Sequence, residues 1–347
     1  MNPMIRNLLT GLLLLTLLNE LNGQTGGEGV YSFLQLTNSA KAAALGGIQV
    51  ALPDPDPELL LQNPALLTPG MNHLLSVNYA RYLAGIGFGY GAYARDLGKY
   101  GMAAIGIQFV DYGQFVAADE TGVITGSFSA SEYALNMTYA KTFGTLFTAG
   151  ISLKPIYSHL ENYKSFGLAV DVGLTHHASD QLTTVAICLR QLGAQFSTYY
   201  DGGPHENLDW SLQVGCTHQL QHAPLRLSIT AYDLNRWNGS VTTTDPNGIS
   251  NTEPGKSLLP SVMRHLSLGA ELFPEQILTL RAGYNYRRYA DLAIPDQSGM
   301  TGFTAGVGIR LTAIRLNYAL SGYAQSGLVH NFSFTLDLSR LVRKSIN

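Results

Sequence analysis

At 347 residues with 21 basic and 24 acidic side chains, the chain carries a formal charge of −3 and only 13% charged residues, about half the usual quarter for a soluble domain. That balance leaves no basic footprint for nucleic acid, and 46% hydrophobic residues exclude a disordered chain. Beyond residue 23 no apolar run approaches the roughly 20 residues of a spanning helix. A chain rich in Gly (37) and Tyr (19, against 13 Phe) but poor in charge and in long apolar runs has the composition of an outer-membrane β-barrel.

The chain opens on a signal-peptide pattern. Arg6 precedes the apolar stretch Leu8 to Leu18, which is short enough for the core of a secretory leader, and Asn19 to Gly23 is polar with a small last residue. Cleavage is expected after Gly23, so residues 1–23 are leader and Gln24 begins an exported protein.

Residues 24–72 lack strand alternation. Ser39 to Leu45 reads as a short helix ended by Gly46 and Gly47. Ile48 to Leu52, the proline-punctuated run Pro53 to Pro57, and a turn at Asn63-Pro64 follow. A stretch this apolar is expected to fold into the lumen of a barrel as a plug. Asp54 and Asp56, set between prolines, have the types of a calcium-binding turn, but such residues more often cap local turns, and no metal site is expected.

From residue 73 to 347 the chain reads as barrel. Segments of ~9–13 residues repeat with period-two alternation. Phe166, Leu168, Val170, Val172 and Leu174 share one face, with Gly167, Ala169, Asp171 and Gly173 on the other. Leu280, Ala282 and Tyr284 oppose Thr279, Arg281 and Asn285, and Phe332, Phe334 and Leu336 oppose Asn331, Ser333 and Thr335. Strands are expected near 73–82, 85–95, 99–111, 131–143, 146–158, 164–176, 182–190, 208–220, 224–235, 261–272, 277–288, 301–311, 313–323 and 327–338. Alternation alone does not separate a membrane barrel from a soluble sandwich. The count of fourteen, and turns that alternate with the longer loops 112–130, 191–207, 236–260 and 289–300, favour the barrel. Twelve or sixteen strands also fit if boundaries move. An even count puts both termini on the periplasmic side.

By parity Lys154, Asp171, Arg190, Arg226, Glu271, Arg281, Arg287, Arg310, Arg315 and Asp337 face the lumen. A basic side chain at mid-depth on the lipid face would cost ~2–4 kcal/mol. In Gly85 to Gly91 the alternate glycines are expected on the inner face, either to admit another backbone or to relieve curvature. Cys188 and Cys216 fall on opposite faces, so two free thiols are expected, the first lumenal and the second toward lipid.

Ala42 to Ala51, with Gly46 and Gly47, then Asp54, Asp56 and Asn63-Pro64-Ala65, resembles the N-terminal hatch of the FadL family of outer-membrane barrels, which has fourteen strands. Within that family the opening Gly29 to Gly47 looks most like the PorV/PorQ group of type IX secretion proteins. The resemblance is sharp over residues 24–72 and diffuse over the barrel. It implies a non-enzymatic outer-membrane part of the attachment complex that processes cargo and joins it to anionic lipopolysaccharide. The implied partners are a PorZ-like surface protein, a PorU-like sortase and a PorV-like barrel, with lipopolysaccharide and outer-membrane lipid around them. No cofactor is implied.

Catalytic motifs are absent. There is no G-x-S-x-G elbow and no phosphate loop, and His176-His177 abuts a turn without the spacing of a metal site. The expected working surface is outside. Loop 236–260 begins with Arg236 and Trp237, types enriched at interface hot spots. Near the end of a strand, Arg288 and Tyr289 are placed to meet lipopolysaccharide phosphates and the aromatic girdle. Three functions compete: a surface scaffold, a FadL-like transporter of hydrophobic small molecules, and a general porin, which some fifty plug residues disfavour.

Overall fold

A computed structural model describes residues 29–82, 85–200, 202–236, 240–244, 250–254, 258–274, 276–292, 299–324 and 327–340. The expected leader lies outside them. Fourteen antiparallel strands close into a barrel. They are β1 (Leu74–Arg81), β2 (Gly87–Asp96), β3 (Met102–Ala118), β4 (Ile124–Phe143), β5 (Phe147–Leu160), β6 (Tyr163–His177) and β7 (Thr183–Ser197). After these come β8 (Ser211–Gln219) and β9 (Leu225–Ala231). A separate hairpin, β10 (Ser240–Thr244) with β11 (Ser250–Pro254), interrupts the meander. The barrel then continues with β12 (Leu266–Leu272), β13 (Leu278–Asn285), β14 (Phe303–Arg310), β15 (Ile314–Ala324) and β16 (Gly327–Asp337). Pairing of β1 with β16, from Leu74↔Asp337 to Arg81↔His330, closes the sheet and leaves it no free edge.

Each expected strand has its counterpart, with different ends. β3 and β4 run deep into the stretch expected as loop 112–130, leaving only a turn at residues 119–123. There the Asp119 carboxylate, held by the Thr121 hydroxyl and the Val123 N–H, has its pKa below the ordinary range. β7 takes up residues 191–197 of loop 191–207. Conversely, the helices Leu258–Arg264 and Tyr286–Leu292 take up residues 261–264 and 286–288, which were expected as strand. The wall is therefore uneven. β3 to β7 have 14–20 residues each, against 7 or 8 in β9, β12, β13 and β14.

The outer face is apolar. Ile105, Ile107, Ile151, Val172, Leu280, Leu316 and Phe332 are all exposed there, as a wall in contact with lipid requires. The inner face carries Lys154, Asp171, Arg190, Arg226, Glu271 and Arg281, all buried. Cys188 is buried inside, packed with Val50, Ala51 and Ala186. Cys216 lies on the outer face beside Leu227 and Ile229, and both thiols are free.

β2 reverses the expected parity. Phe88 and Tyr90 point inward and are buried, while Gly87 and Gly89 face out beneath the rings of Tyr79 and Phe109. The physical reason is the contents of the lumen. Phe88 joins Val30, Phe33 and Leu34 in one apolar cluster, and Tyr90 joins Leu61 in another. An apolar strand face turns inward when the interior offers it an apolar partner.

Candidate functional site

Residues 29–72 run along the inside of the barrel. Val30 forms a bridge with Leu208 and donates its N–H to the Asn207 carbonyl (3.3 Å) at the loop end, and the segment reaches the turn end at His73. The expectation places both termini at the turn end. Residues 1–28 and 341–347 lie outside the described ones, within which β16 ends at the turn end and Gly29 stands at the loop end, against the Asp209 carboxylate.

Local chemistry shapes this segment. Ser39 caps the helix Ala40–Ala44 by accepting from the Ala42 N–H (3.1 Å). Gly46 and Gly47 end it with φ of 91° and 97°, and the Gly47 N–H returns to the Ala42 carbonyl (2.8 Å). The helix then meets the wall closely. Thr304 Oγ1 donates to the Ala44 carbonyl (2.9 Å) and accepts from the Gly46 N–H (3.0 Å), and Asn285 Nδ2 donates to the Gly46 carbonyl (3.2 Å). Glycines of the wall make this approach possible. A Cβ on Gly283 would overlap the Gly46 nitrogen, and one on Gly306 would collide with the Ala44 methyl. The glycine-lined contact expected at β2 thus lies on β13 and β14.

The Asn63-Pro64-Ala65 turn is seated the same way. The Asn63 side chain accepts from the Ala65 N–H (2.9 Å) and donates to the Val50 carbonyl (2.8 Å). Gly150 and Gly173 of the wall leave the room that Pro64 and Asn63 fill.

Asp54 and Asp56 do not cap turns; they enter an ionic network. Lys41 reaches both, at 2.9 and 3.0 Å. Arg226 holds Asp54 through two parallel bonds of 3.0 Å and also bonds Glu271, which in turn accepts from Arg281 (2.7 Å). Thr335 Oγ1 donates to Asp56 (2.9 Å). Three cations meet three carboxylates, all buried, an arrangement that compensates desolvation only while each member keeps its partners. The void left beside Lys41, Arg281, Arg310 and Arg315 is about 10 Å³, room for one water. The sequence reading placed Arg226, Glu271 and Arg281 in the lumen but missed Lys41. The available signal was a lone charge inside Ala40 to Ala44, balanced by two nearby aspartates.

Arg236, Arg288 and Tyr289 are the outward candidates among the described residues. Arg236 is tied to Asp209 (2.8 Å) and to the Trp210 carbonyl (3.1 Å), while Trp237 lies outside the described residues. Arg288 turns inward, stacked 4.0 Å over Tyr323 and beside Gly47. Tyr289, in the same short helix, is exposed. No group of His, Cys, Asp and Glu suited to a metal ion occurs among the described residues.

No protein-family model matches the sequence, and no curated protein matches it. Solved structures do match. The toluene transporter TbuX of Ralstonia pickettii aligns at 14% identity and TM-score 0.53, over 89% of this chain and 100% of that one. The P. putida toluene transporter TodX aligns at 15% identity and TM-score 0.53, over 86% and 97%. The monoaromatic hydrocarbon channel CymD aligns at 14% identity and TM-score 0.53, over 89% and 99%. The fold is that of a FadL-type outer-membrane barrel. Identity this low bears on the fold alone.

Proposed function

We propose that this outer-membrane barrel is a non-enzymatic anchor, part of a type IX secretion attachment complex, which holds surface partners that process cargo and join it to anionic lipopolysaccharide. The observation that carries the reading is the buried network of Lys41, Asp54, Asp56, Arg226, Glu271 and Arg281. It bonds residues 29–72 to the wall, and an interior held this way suits a fixed mount better than a passage. The resemblance of Gly29 to Gly47 to the PorV/PorQ group supplies the class of partner: a PorZ-like surface protein, a PorU-like sortase and a PorV-like barrel.

A second reading is uptake of small hydrophobic molecules. The solved structures that share the fold favour it over the anchor, since TbuX and TodX are named toluene transporters and CymD a monoaromatic hydrocarbon channel. It requires the N-terminal segment to move.

The test is gentle detergent extraction of a tagged chain from its native membrane, with mass spectrometry of what co-purifies, beside toluene uptake by the same cells with and without the gene. Recovery of large surface partners with unchanged uptake supports the anchor. A barrel recovered alone, with uptake lost in the deletion strain, overturns it in favour of transport.

A further inference from the structure

At the loop end β3 and β4 outgrow their neighbours. Pairing of β2 with β3 stops at Gly87↔Asp111, and pairing of β4 with β5 stops at Ala130↔Leu160. The rest of β3 and β4 stands as a two-stranded hairpin above the rim. A bulge between Asp111 and Gly113, with Gly113 at φ 84°, marks its foot. One extra residue reverses parity. Below the bulge the buried Val110 faces in; above it Phe115, 42% exposed, takes the same side opposite Phe128, with the two rings stacked 5.2 Å apart.

A cavity of about 470 Å³ opens at this foot, with Tyr112, Phe115, Phe128 and Tyr199 among its walls and Glu132 and Glu206 as its acids. Tyr31 of the N-terminal segment also lines it. The phenol groups are engaged: Tyr112 donates to Glu132 (2.6 Å), Tyr199 to Ser158 (2.9 Å), and Tyr31 pairs with Ser165 (2.5 Å). The wall's other buried acids, Asp171 and Glu271, each hold a cation. Glu132 is only 4% exposed and forms no ion pair among the described residues; Glu206, also without an ion pair among them, is exposed. From Asp111 to Glu132 the chain has four acids and no Lys or Arg. A buried carboxylate without a counter-charge is costly, and aromatic faces attract cations.

We propose that this cavity binds an organic cation, a trimethylammonium or guanidinium group, with Glu132 and Glu206 supplying the counter-charge and the four rings the walls. An anchor and a transporter could equally carry such a site. The bulge at Gly113 brings Phe115 into the site. The volume lies within the range of small-ligand sites, and a cation is the ligand that would bring the buried Glu132 a counter-charge beside the hydrogen bond it accepts from Tyr112.

The experiment is calorimetric titration of the full mature chain in non-ionic detergent with choline, with N-acetyl-arginine amide, and with 3,3-dimethyl-1-butanol, the uncharged isostere of choline. At least one cation is expected to bind roughly tenfold or more tightly than the isostere, and Glu132→Gln to weaken it about tenfold. Glu206→Gln serves as the second variant, with heat-modifiable gel migration reporting the folded barrel in each case. Tighter binding of the arginine amide identifies an arginine side chain of a partner as the source, and tighter binding of choline a free quaternary ammonium. Equal affinity for choline and its isostere, no binding of either cation up to about 50 mM, or unchanged affinity in both folded variants overturns the proposal.

Discussion

Lys41 is the residue on which the interior depends most. It is buried in a run of alanines and touches two carboxylates at 2.9 and 3.0 Å. Lys41→Met keeps the bulk but leaves Asp54 and Asp56 with a single cation, Arg226, beside the first of them. Breaking a buried ionic group by removing one partner costs about 3–5 kcal/mol, so the unfolding free energy in detergent is expected to fall by that amount. An unchanged value would mean that the network contributes nothing net. The two cysteines test parity at the same scale. Cys216 should react with a membrane-soluble maleimide in intact membranes, whereas Cys188, packed with Val50 and Ala186, should not react until the protein is unfolded. Early labelling of Cys188 would place β7 one residue out of register. This much was legible in the sequence, because alternation puts Cys188 and Cys216 on opposite faces. The partners of Asp54 and Asp56 were not legible, because Arg226 lies 172 residues away from Asp54 and no local pattern records a contact across the lumen.

At the scale of elements, the strands were readable and their orientation only partly so. In β6, β13 and β16 the apolar face meets lipid, as hydropathy suggests. In β2 the rings of Phe88 and Tyr90 turn inward, because Phe33 and Leu61 wait inside. Period-two alternation gives two faces, and which one is inner depends on what fills the barrel. The heights of β3 and β4 were hidden for a related reason. Residues 112–130 stand above the rim, beyond the pairing with β2 and β5, and the bulge at Gly113 breaks the alternation. The contact between the helix Ala40–Ala44 and the wall carries its own prediction. Gly283→Val places side-chain carbons where the Gly46 backbone lies, and overpacking of this kind costs about 1–3 kcal/mol. The variant is expected to lose its folded gel mobility at a lower temperature than the parent. Gly91→Ala, on the outer face with no close neighbour, is expected to leave that temperature unchanged. If the two behave alike, the helix does not dock on the glycines of β13 and β14.

For the whole molecule, the barrel is closed around its circumference by the β1–β16 pairing and occupied along its length by residues 29–72. An anchor needs both: a wall that stays in the membrane and an interior that does not open. Proteins named as toluene transporters share the fold over 86–89% of this chain, so it is the firmness with which the ionic network holds the N-terminal segment, not the presence of that segment, that separates an anchor from a passage. The most direct test is the ionic current of the purified chain in a planar bilayer, measured beside the Lys41→Met variant. A sealed lumen gives no steady conductance from the parent chain, and intermittent openings once the network is broken. A steady, large conductance from the parent chain would contradict it, since the segment would then not seal the lumen.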